Sequence, residues 1–334
     1  MSSTSTAAPR ALPLPTTSRA ALWGAFAVLY LVWGSTFLGI RAAVETFPPL
    51  AMPAIRFLVS GAVLLAFSWR SLRGTTPLQW RNAAVIGTFF FFGNHALVST
   101  AASRMPSGLV SLIIATEVPI IAVLSSLILP GQPLTRRGLT GAAVGLAGVA
   151  SLFLGSGTGA SGALLFPALL VLGASACWST GVVLSQRLDA PGNPILRAGM
   201  QMTCGGLLLA VASVLRGEPA QLAADGVSQR SLLALAYLVV FGSVLAFACF
   251  TWLIERVRAD TVATHVFVNP LVAVALGAWL GGERLLPAHL VAGLFILASV
   301  VIITTGPTGR RLTRPRPLPS PAPAARPPGR SAAA

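Results

Sequence analysis

The sequence predicts an all-α integral membrane protein with ten transmembrane helices, arranged as two inverted five-helix repeats. Three observations predict it: a charge-poor composition, long uncharged runs, and motifs of the first half that recur in the second. Of the 334 residues, 54% are hydrophobic and only 9% are charged. Soluble domains carry about 25% charged residues. This chain cannot cover a water-facing surface of its size, so lipid must surround most of it.

The uncharged runs set the positions of the helices. Arg19 and Arg41 are separated by 21 uncharged residues, and Arg137 and Arg187 by 49. A membrane-spanning helix needs about 20 apolar residues, so the longer run holds two helices joined by a Gly/Ser turn at 155–159. The same reasoning along the whole chain predicts helices at 21–41, 50–69, 81–102, 107–128, 138–154, 162–184, 195–215, 232–254, 260–281 and 286–305.

Arginine predicts the orientation, because basic residues favour the cytoplasmic side of a membrane. With the N-terminus inside, 17 of the 23 arginines fall in cytoplasmic segments and five fall outside, while Arg56 lies within helix two. Both termini are therefore expected in the cytoplasm, and the chain is expected to be a multi-pass protein of the cytoplasmic (inner) membrane.

The two ends of the chain predict disorder. Residues 1–20 are rich in Ser, Thr, Pro and Ala, and the first apolar run predicts an uncleaved anchor rather than a signal peptide. Residues 306–334 contain eight prolines, six arginines and no acid, which predicts a disordered cytoplasmic tail. This tail either touches anionic headgroups or serves only as a retention and topology signal.

Composition also excludes several functions. The chain has no lysine, which excludes a Walker A phosphate loop and a Schiff-base enzyme. The arginines are spread over loops and tail, which favours a role in membrane topology over nucleic-acid binding. Cys177, Cys204 and Cys249 lie in apolar runs with no metal-binding spacing, and are expected to be packing residues. No metal and no cofactor are expected.

An internal repeat divides the chain into two similar halves, residues 21–155 and 162–305. Pro119, in Glu117-Val118-Pro119, is followed 13 residues later by Gln132, and Pro270 is followed 13 residues later by Glu283. Trp33-Gly-Ser-Thr36 likewise pairs with Trp178-Ser-Thr180. Five helices are an odd number, so the second repeat enters the membrane from the opposite side. Such inverted repeats are typical of secondary transporters.

The motifs that carry a family resemblance follow one another in both halves. They are Trp33-Gly-Ser-Thr-Phe37, Phe47-Pro-Pro49 with Arg56-Phe57, Pro106-Ser-Gly108, Phe241-Gly-Ser243, Val268-Asn-Pro-Leu-Val-Ala-Val274 and Leu280-Gly-Gly-Glu-Arg-Leu285. The sequence resembles the EamA family of the drug/metabolite transporter superfamily over about residues 22–305. This resemblance implies ten helices, two repeats and the export or exchange of small metabolites through a central cavity. Gln132 departs from the family pattern, which usually carries Glu there, so that turn is neutral.

Glu117 is the sharpest candidate for a functional residue, because it lies near the middle of helix four. A carboxylate at mid-membrane costs roughly 2.5–3.5 kcal/mol, so it must face the bundle interior, be paired, or be protonated. It either binds a proton or a cationic substrate, or holds a buried donor in place. Arg56 in helix two is its candidate partner. Arg56 could instead bind a substrate carboxylate or extend to the outer headgroups.

The remaining candidates are polar, aromatic or proline residues inside predicted helices. Asn94, His95 and His265 either relay protons and contact substrate or make interhelical hydrogen bonds. Asn269 precedes Pro270, and both Pro270 and Pro119 are expected to bend helices that line a cavity. The repeat positions add further wall candidates, of which the aromatic ones are either wall residues or lipid anchors: Trp33, Ser35, Thr36, Trp178, Thr180 and Gln201. Glu283 is expected to cap helix ten.

These observations favour a secondary active transporter rather than an enzyme. The expected cargo is small metabolites, amino acids or drug-like amphipathic solutes, exported by proton antiport or exchange. Its expected partners are thus a small-molecule substrate, protons and the lipid bilayer. A non-transporting receptor or scaffold is the alternative. An intramembrane enzyme would use Ser35 or Ser243 with His95 or His265 as a Ser/His dyad.

Overall fold

The computed structural model describes residues 18–130, 133–154, 160–254, 256–257, 262, 264–284 and 287–304. Within these ranges the regular structure is helical and contains no strand. Gln132, the predicted turn at 155–159, the predicted disordered tail at 306–334 and nearly all of the N-terminal segment 1–20 lie outside the described residues.

The described helices follow the predicted runs closely. Six of them are long and apolar enough, by length and composition, to cross a membrane: Arg19–Ala43, Pro77–Ala102, Ser107–Ile128, Ala163–Ser185, Pro194–Leu215 and Gln229–Leu253. Three shorter apolar helices are Ala51–Phe67, His265–Trp279 and His289–Ile303. A further helix of 19 residues spans Arg136–Leu154.

In chain order the elements are α1 (Arg19–Ala43), α2 (Ala51–Phe67), α3 (Trp69–Leu72), α4 (Pro77–Gly87), the π-helix π1 (Thr88–Gly93), α5 (Asn94–Ala102), α6 (Ser107–Ile114), α7 (Glu117–Ile128), α8 (Arg136–Leu154), α9 (Ala160–Ser185), α10 (Pro194–Leu215), α11 (Glu218–Asp225), α12 (Gln229–Tyr237), the π-helix π2 (Leu238–Leu245), α13 (Ala246–Ile254), α14 (His265–Trp279) and α15 (Pro287–Thr304).

Side-chain caps set where several helices begin. The Ser18 hydroxyl accepts a hydrogen bond of 3.1 Å from the backbone of Ala21, so α1 begins two residues before its predicted start. Thr76 and Gln79 form a reciprocal capping box at the start of α4. Asn193 caps α10, whose first residue is a proline. These caps satisfy backbone N–H groups that have no partner inside the helix.

Two helix pairs join the halves of the chain through small residues. α2 packs along α10, where a Cβ added at Gly61 would lie 2.9 Å from the backbone nitrogen of Thr203. α8 packs along α15, where the Ser299 hydroxyl donates a 2.6 Å hydrogen bond to the carbonyl of Gly141. Small residues let helix backbones approach closely within a bilayer, where van der Waals packing replaces the hydrophobic effect.

The outer surface of the bundle is apolar. Many large apolar side chains on helices of both halves are exposed, including Phe67 at 78%, Leu215 at 82% and Trp279 at 79%. Exposed apolar side chains on so many helices of spanning length form the kind of surface that a bilayer solvates. Polar side chains collect instead in the interior, where they line the cavity described next.

Candidate functional site

A cavity of about 160 Å³ lies at the centre of the bundle, between helices of both halves. It has room for on the order of ten water molecules. Its polar and charged lining residues are Thr36, Arg56, Asn94, His95, Ser111, Glu117, Ser243, His265 and Asn269. Its aromatic lining residues are Trp33, Phe37, Phe57, Phe91, Trp178 and Phe247. An apolar wall with a few converging polar groups is the usual form of a small-molecule site.

Arg56 contributes a positive charge to this cavity from α2. The residue is only 5% exposed, and its Nε donates a 2.9 Å hydrogen bond to the hydroxyl of Ser243 in π2. Its guanidinium carbon lies 5.0 Å from the centre of the Phe57 ring. Nη1 is buried and has no hydrogen-bond partner. Arg56 is thus fixed by the second half of the chain while one donor group stays free.

Glu117 contributes a carboxyl group to the cavity and stands at the first position of α7. The predicted helix four is interrupted at Ala115 and Thr116, so Glu117 lies at a helix N-terminus, where the dipole favours a carboxylate. Its backbone carbonyl accepts a 3.1 Å hydrogen bond from Ser179 of α9. Within the described part of the chain, its carboxylate has neither a hydrogen-bond partner nor an ion-pair partner.

Arg56 and Glu117 do not pair with each other, in contrast to the partnership considered from the sequence. The ion pairs among the described residues are Arg41–Glu283 and Arg230–Glu45. Arg56 turns instead to Ser243, because π2 brings that hydroxyl against the guanidinium. The cavity therefore holds a guanidinium group and a carboxyl group, and neither forms an ion pair among the described residues.

Both candidate histidines line the cavity and are oriented by backbone carbonyls. Nδ1 of His95 lies 3.1 Å from the carbonyl oxygen of Phe90, and Nδ1 of His265 lies 3.0 Å from that of Val262. A carbonyl only accepts, so Nδ1 carries the proton in both rings. Neither histidine bonds to a serine hydroxyl in the described structure, so the Ser/His dyad considered from the sequence is not assembled.

The asparagine candidates occupy different environments. The Asn94 amide donates a 3.0 Å hydrogen bond to the carbonyl of Ala174, which connects α5 to α9. Oδ1 of Asn269 is buried without a hydrogen-bond partner and faces the same cavity as the next residue, Pro270. Pro270 lies inside α14, where it removes one backbone hydrogen bond.

Trp33, Thr36 and Trp178 form part of the wall. The Trp33 indole donates a 3.2 Å hydrogen bond to the carbonyl of Gly242, and its ring centre lies 5.0 Å from that of His265. Thr36 donates to the carbonyl of Trp33 one turn earlier. The Trp178 ring lies 4.5 Å from Phe90.

Four of the candidates lie outside the cavity lining. The Ser35 hydroxyl bonds to the hydroxyl of Tyr237 at 2.6 Å, and Thr180 bonds to the carbonyl of Ala176 in its own helix. Gln201 is buried where α10 packs on α4. Pro119 stands in the first turn of α7, where a proline costs no helical hydrogen bond, and packs against α8.

Ser243 belongs to the site, although the sequence indicated it only as part of a family motif and as a possible member of a Ser/His dyad, not as the partner of Arg56. It lies in π2, and π1 occupies the corresponding helix of the first half. Similar triplets accompany the two π-helices: Phe92-Gly93-Asn94 runs from the end of π1 into α5, and Phe241-Gly242-Ser243 lies within π2. That match was the available signal. Short π-helices are frequent at functional sites.

Two buried carboxylates hold the halves together at the end of the bundle where α1 ends. Glu283 accepts hydrogen bonds from the backbone of Ser107 at 2.8 Å and of Gly108 at 3.1 Å, and pairs with Arg41 at 2.8 Å. It therefore caps α6 of the other half, in contrast to the cap of helix ten expected from the sequence.

Glu218 makes the equivalent contact with α2. It accepts hydrogen bonds of 3.1 Å from the backbone of Leu50 and 2.7 Å from that of Ala51, and a third of 2.9 Å from the Ser213 hydroxyl. Both acceptors come from the second half of the chain and both capped helices from the first. We call these contacts the carboxylate clamp.

Cysteines and metal-type clusters contribute nothing to the cavity. Cys177, Cys204 and Cys249 are free thiols. Among the described residues there is no group of three or more His, Cys, Asp or Glu side chains that could hold a metal ion.

Comparison with known proteins places this chain among transporters. The sequence profile of the EamA-like transporter family matches residues 19–154 and again residues 165–305. The "uncharacterized inner membrane transporter YedA" of Escherichia coli K12 is 36% identical over 85% of this chain and 91% of its own length. "Protein PecM" of Dickeya dadantii is 30% identical over 81% of this chain and 88% of its own.

A third relative carries a more specific description. The "probable amino-acid metabolite efflux pump" of Salmonella typhimurium is 25% identical over 86% of this chain and 96% of its own length. A protein of known crystal structure superposes with a TM-score of 0.56 at 23% identity, covering 86% of this chain and 99% of that one. This last likeness is one of fold.

Proposed function

Because the chain belongs to the EamA-like transporter family, we propose that it is a secondary active transporter that exports small amphipathic solutes across the inner membrane. Its cargo is drawn from small metabolites, amino acids or drug-like compounds. The solute leaves the cytoplasm in exchange for protons or for a second solute.

The central cavity is the observation that carries this proposal. It lies between the two halves of the chain, is lined by helices of both, and combines an aromatic wall with a guanidinium and a carboxyl group that do not pair with each other. A transporter needs such a chamber because its site must open to either side of the membrane in turn. A receptor or scaffold has no comparable need for unpaired ionisable groups at mid-bundle, where each one is costly.

The proposed architecture is ten spans in two inverted repeats, divided near 155–162, with both termini in the cytoplasm. Two family matches of similar length, one in each half, support the repeat. The paired π-helices and the two glycine-lined helix pairs between the halves support it as well. The arginine distribution supports the orientation.

Proton coupling is proposed to run through Glu117. It is a carboxyl group that faces the cavity at a helix N-terminus and has no fixed partner. A carboxylate in this position can exchange a proton for a cationic group on the solute, which is the exchange that antiport requires. His95, His265 and Arg56 face the same cavity, so their charges influence whether Glu117 is protonated.

Transport by the purified full chain in proteoliposomes tests the proposal. Radiolabelled apolar amino acids and an amphipathic cationic dye such as ethidium serve as solutes. With the vesicle interior acidic, protons leaving the vesicle should drive at least one solute inwards, and a protonophore should abolish the accumulation. The absence of any solute movement under every imposed gradient would contradict the transporter function.

A further inference from the structure

A pair of exposed arginines follows α2, at the end of the bundle opposite to the carboxylate clamp. Arg70 lies in the short helix α3, and Arg73 directly follows that helix. Both side chains lie against one indole: their guanidinium carbons are 5.6 Å and 4.8 Å from the centre of the Trp69 ring. Residues three apart on a helical turn share a face, so one exposed aromatic ring holds two positive charges together.

Neither guanidinium of this pair is bound by an acid. Arg70 and Arg73 form no ion pair and no side-chain hydrogen bond with another described residue. Asp189 is an acid at the same end of the bundle, but its carboxylate accepts a 3.3 Å hydrogen bond from the side chain of Gln79. A guanidinium has five N–H donors in a planar fork, so the pair presents many donors to an oxygen anion.

An apolar surface leads along α2 up to the two arginines. One stripe of exposed apolar residues follows the helix at helical spacing: Ile55, Val59, Ala62 and Ala66. We call it the α2 stripe. Phe67, the last residue of α2, lies at its end and is strongly exposed. An apolar helix face that ends in aromatic and basic side chains is typical of the layer where acyl chains meet headgroups.

We propose that the junction of α2 and α3 binds an anionic phospholipid, with the headgroup phosphate on Arg70 and Arg73 and an acyl chain along the α2 stripe. Guanidinium groups bind phosphate through parallel hydrogen bonds, which a second guanidinium reinforces. Trp69 is the positioning residue, because its ring holds both side chains. A zwitterionic phospholipid has the same phosphate but no net charge, so this site should select lipids with a net negative charge.

Quenching of Trp69 by brominated lipids tests the proposal on the purified full chain in an uncharged detergent. Phosphatidylglycerol with brominated acyl chains is titrated in, and brominated phosphatidylcholine is the comparison without net charge. The difference between wild type and Trp69→Phe isolates the signal of this one indole. Bromine quenches at contact distance, so lipid bound elsewhere on the chain does not contribute. Phosphatidylglycerol should quench Trp69 at concentrations about tenfold lower, or lower still, than phosphatidylcholine.

Paired variants assign the headgroup contact. Arg70→Gln combined with Arg73→Gln should weaken phosphatidylglycerol binding about tenfold or more, to the level of phosphatidylcholine. Arg104→Gln combined with Arg216→Gln is the matched control, because it removes the same charge from exposed residues at the opposite end of the bundle. That control should keep the wild-type affinity.

Four results would overturn the inference: equal quenching by the two lipids, wild-type affinity in the variant of Arg70 and Arg73, an equal loss in the control variant, or displacement of the lipid by excess inorganic phosphate. The last would indicate a site for free phosphate instead. The comparison of lipids on wild type decides the matter even where a variant does not fold. Solute movement is not measured, so the lipid site and the proposed transport function stand or fall separately.

Discussion

Arg41 and Glu283 form an ion pair, 2.8 Å between Nη1 and Oε1, that joins the last turn of α1 to the turn after α14. The Glu283 side chain is 1% exposed and also accepts two backbone hydrogen bonds at the start of α6. One carboxylate thus links three segments, two of them from the first half of the chain.

We expect Glu283→Gln to destabilise the bundle by about 1–3 kcal/mol, because it removes the charge that Arg41 and the N-terminus of α6 both need. The measurement is the thermal unfolding midpoint in detergent. Glu45→Gln is the matched control, since its pair with Arg230 is longer, at 3.5 Å, and exposed on both sides. Such a pair contributes about 0–1 kcal/mol. Equal losses in the two variants would contradict the clamp.

The Glu117→Gln variant is expected to lose pH-gradient-driven accumulation. A gradient of one pH unit supports a concentration ratio of about ten for one-proton exchange, and without a titratable carboxyl group that ratio should fall to about one. Solute counterflow without a gradient separates lost coupling from lost folding. Unchanged coupling would show that another group facing the cavity, such as His95 or His265, carries the proton.

For Ser243→Ala we expect a rise of several-fold in KM with little change in the maximal rate, since one hydrogen bond to a charged group is lost. Ser243→Thr keeps the hydroxyl and should restore the wild-type KM. Ser126→Ala is the control, because among the described residues that hydroxyl bonds only to the carbonyl of Val123 in its own helix. A lower unfolding midpoint with an unchanged KM would make Ser243 a purely structural residue.

Substitution of Gly61 by Leu should lower the unfolding midpoint by several degrees, because a Cβ there meets the backbone of Thr203 in α10. Overpacking of this kind costs about 1–3 kcal/mol. Gly24→Leu tests the same exchange where an added Cβ meets nothing within 4 Å, and it should leave the midpoint unchanged. A comparable loss at both glycines would show that helix propensity, not packing, decides.

Single cysteines placed at the two chain ends should react from the same side of the membrane. Replacement of Cys177, Cys204 and Cys249 by alanine provides the background. A membrane-impermeant maleimide should label both ends in inverted vesicles and neither end in intact cells. Labels on opposite faces would require an odd number of spans and would remove the inverted repeat.

Charge spacing located the helices well because the membrane imposes length and polarity on every span. Helix one was predicted at 21–41 and runs Arg19–Ala43. The break at Ala115 and Thr116 lies one turn before Pro119, where the sequence predicts a bend, because a proline has no N–H for the carbonyl four residues earlier. The spacing of apolar residues does not reveal the position of this break, yet the break places Glu117 at the start of a helix.

The cavity was predictable in outline and less so in detail. The repeat and the buried charges indicated Arg56 and Glu117, which both line it. The partner of Arg56 was not predictable, because Ser243 reaches it through a π-helix and from 187 residues away in sequence. The target of Glu283 was hidden for the same reason, since its capped helix begins 176 residues earlier.

The carboxylate clamp has an energetic consequence for motion. Its backbone donors at Leu50, Ala51, Ser107 and Gly108 lie at a bundle end, where water can replace the carboxylates as acceptor. Each exchange of a carboxylate acceptor for water costs about 1.5–3 kcal/mol, because the acceptor is charged. Under the proposed transport function, opening of the halves at this end therefore needs water to take over from both carboxylates, and removal of water from the bundle end should slow turnover.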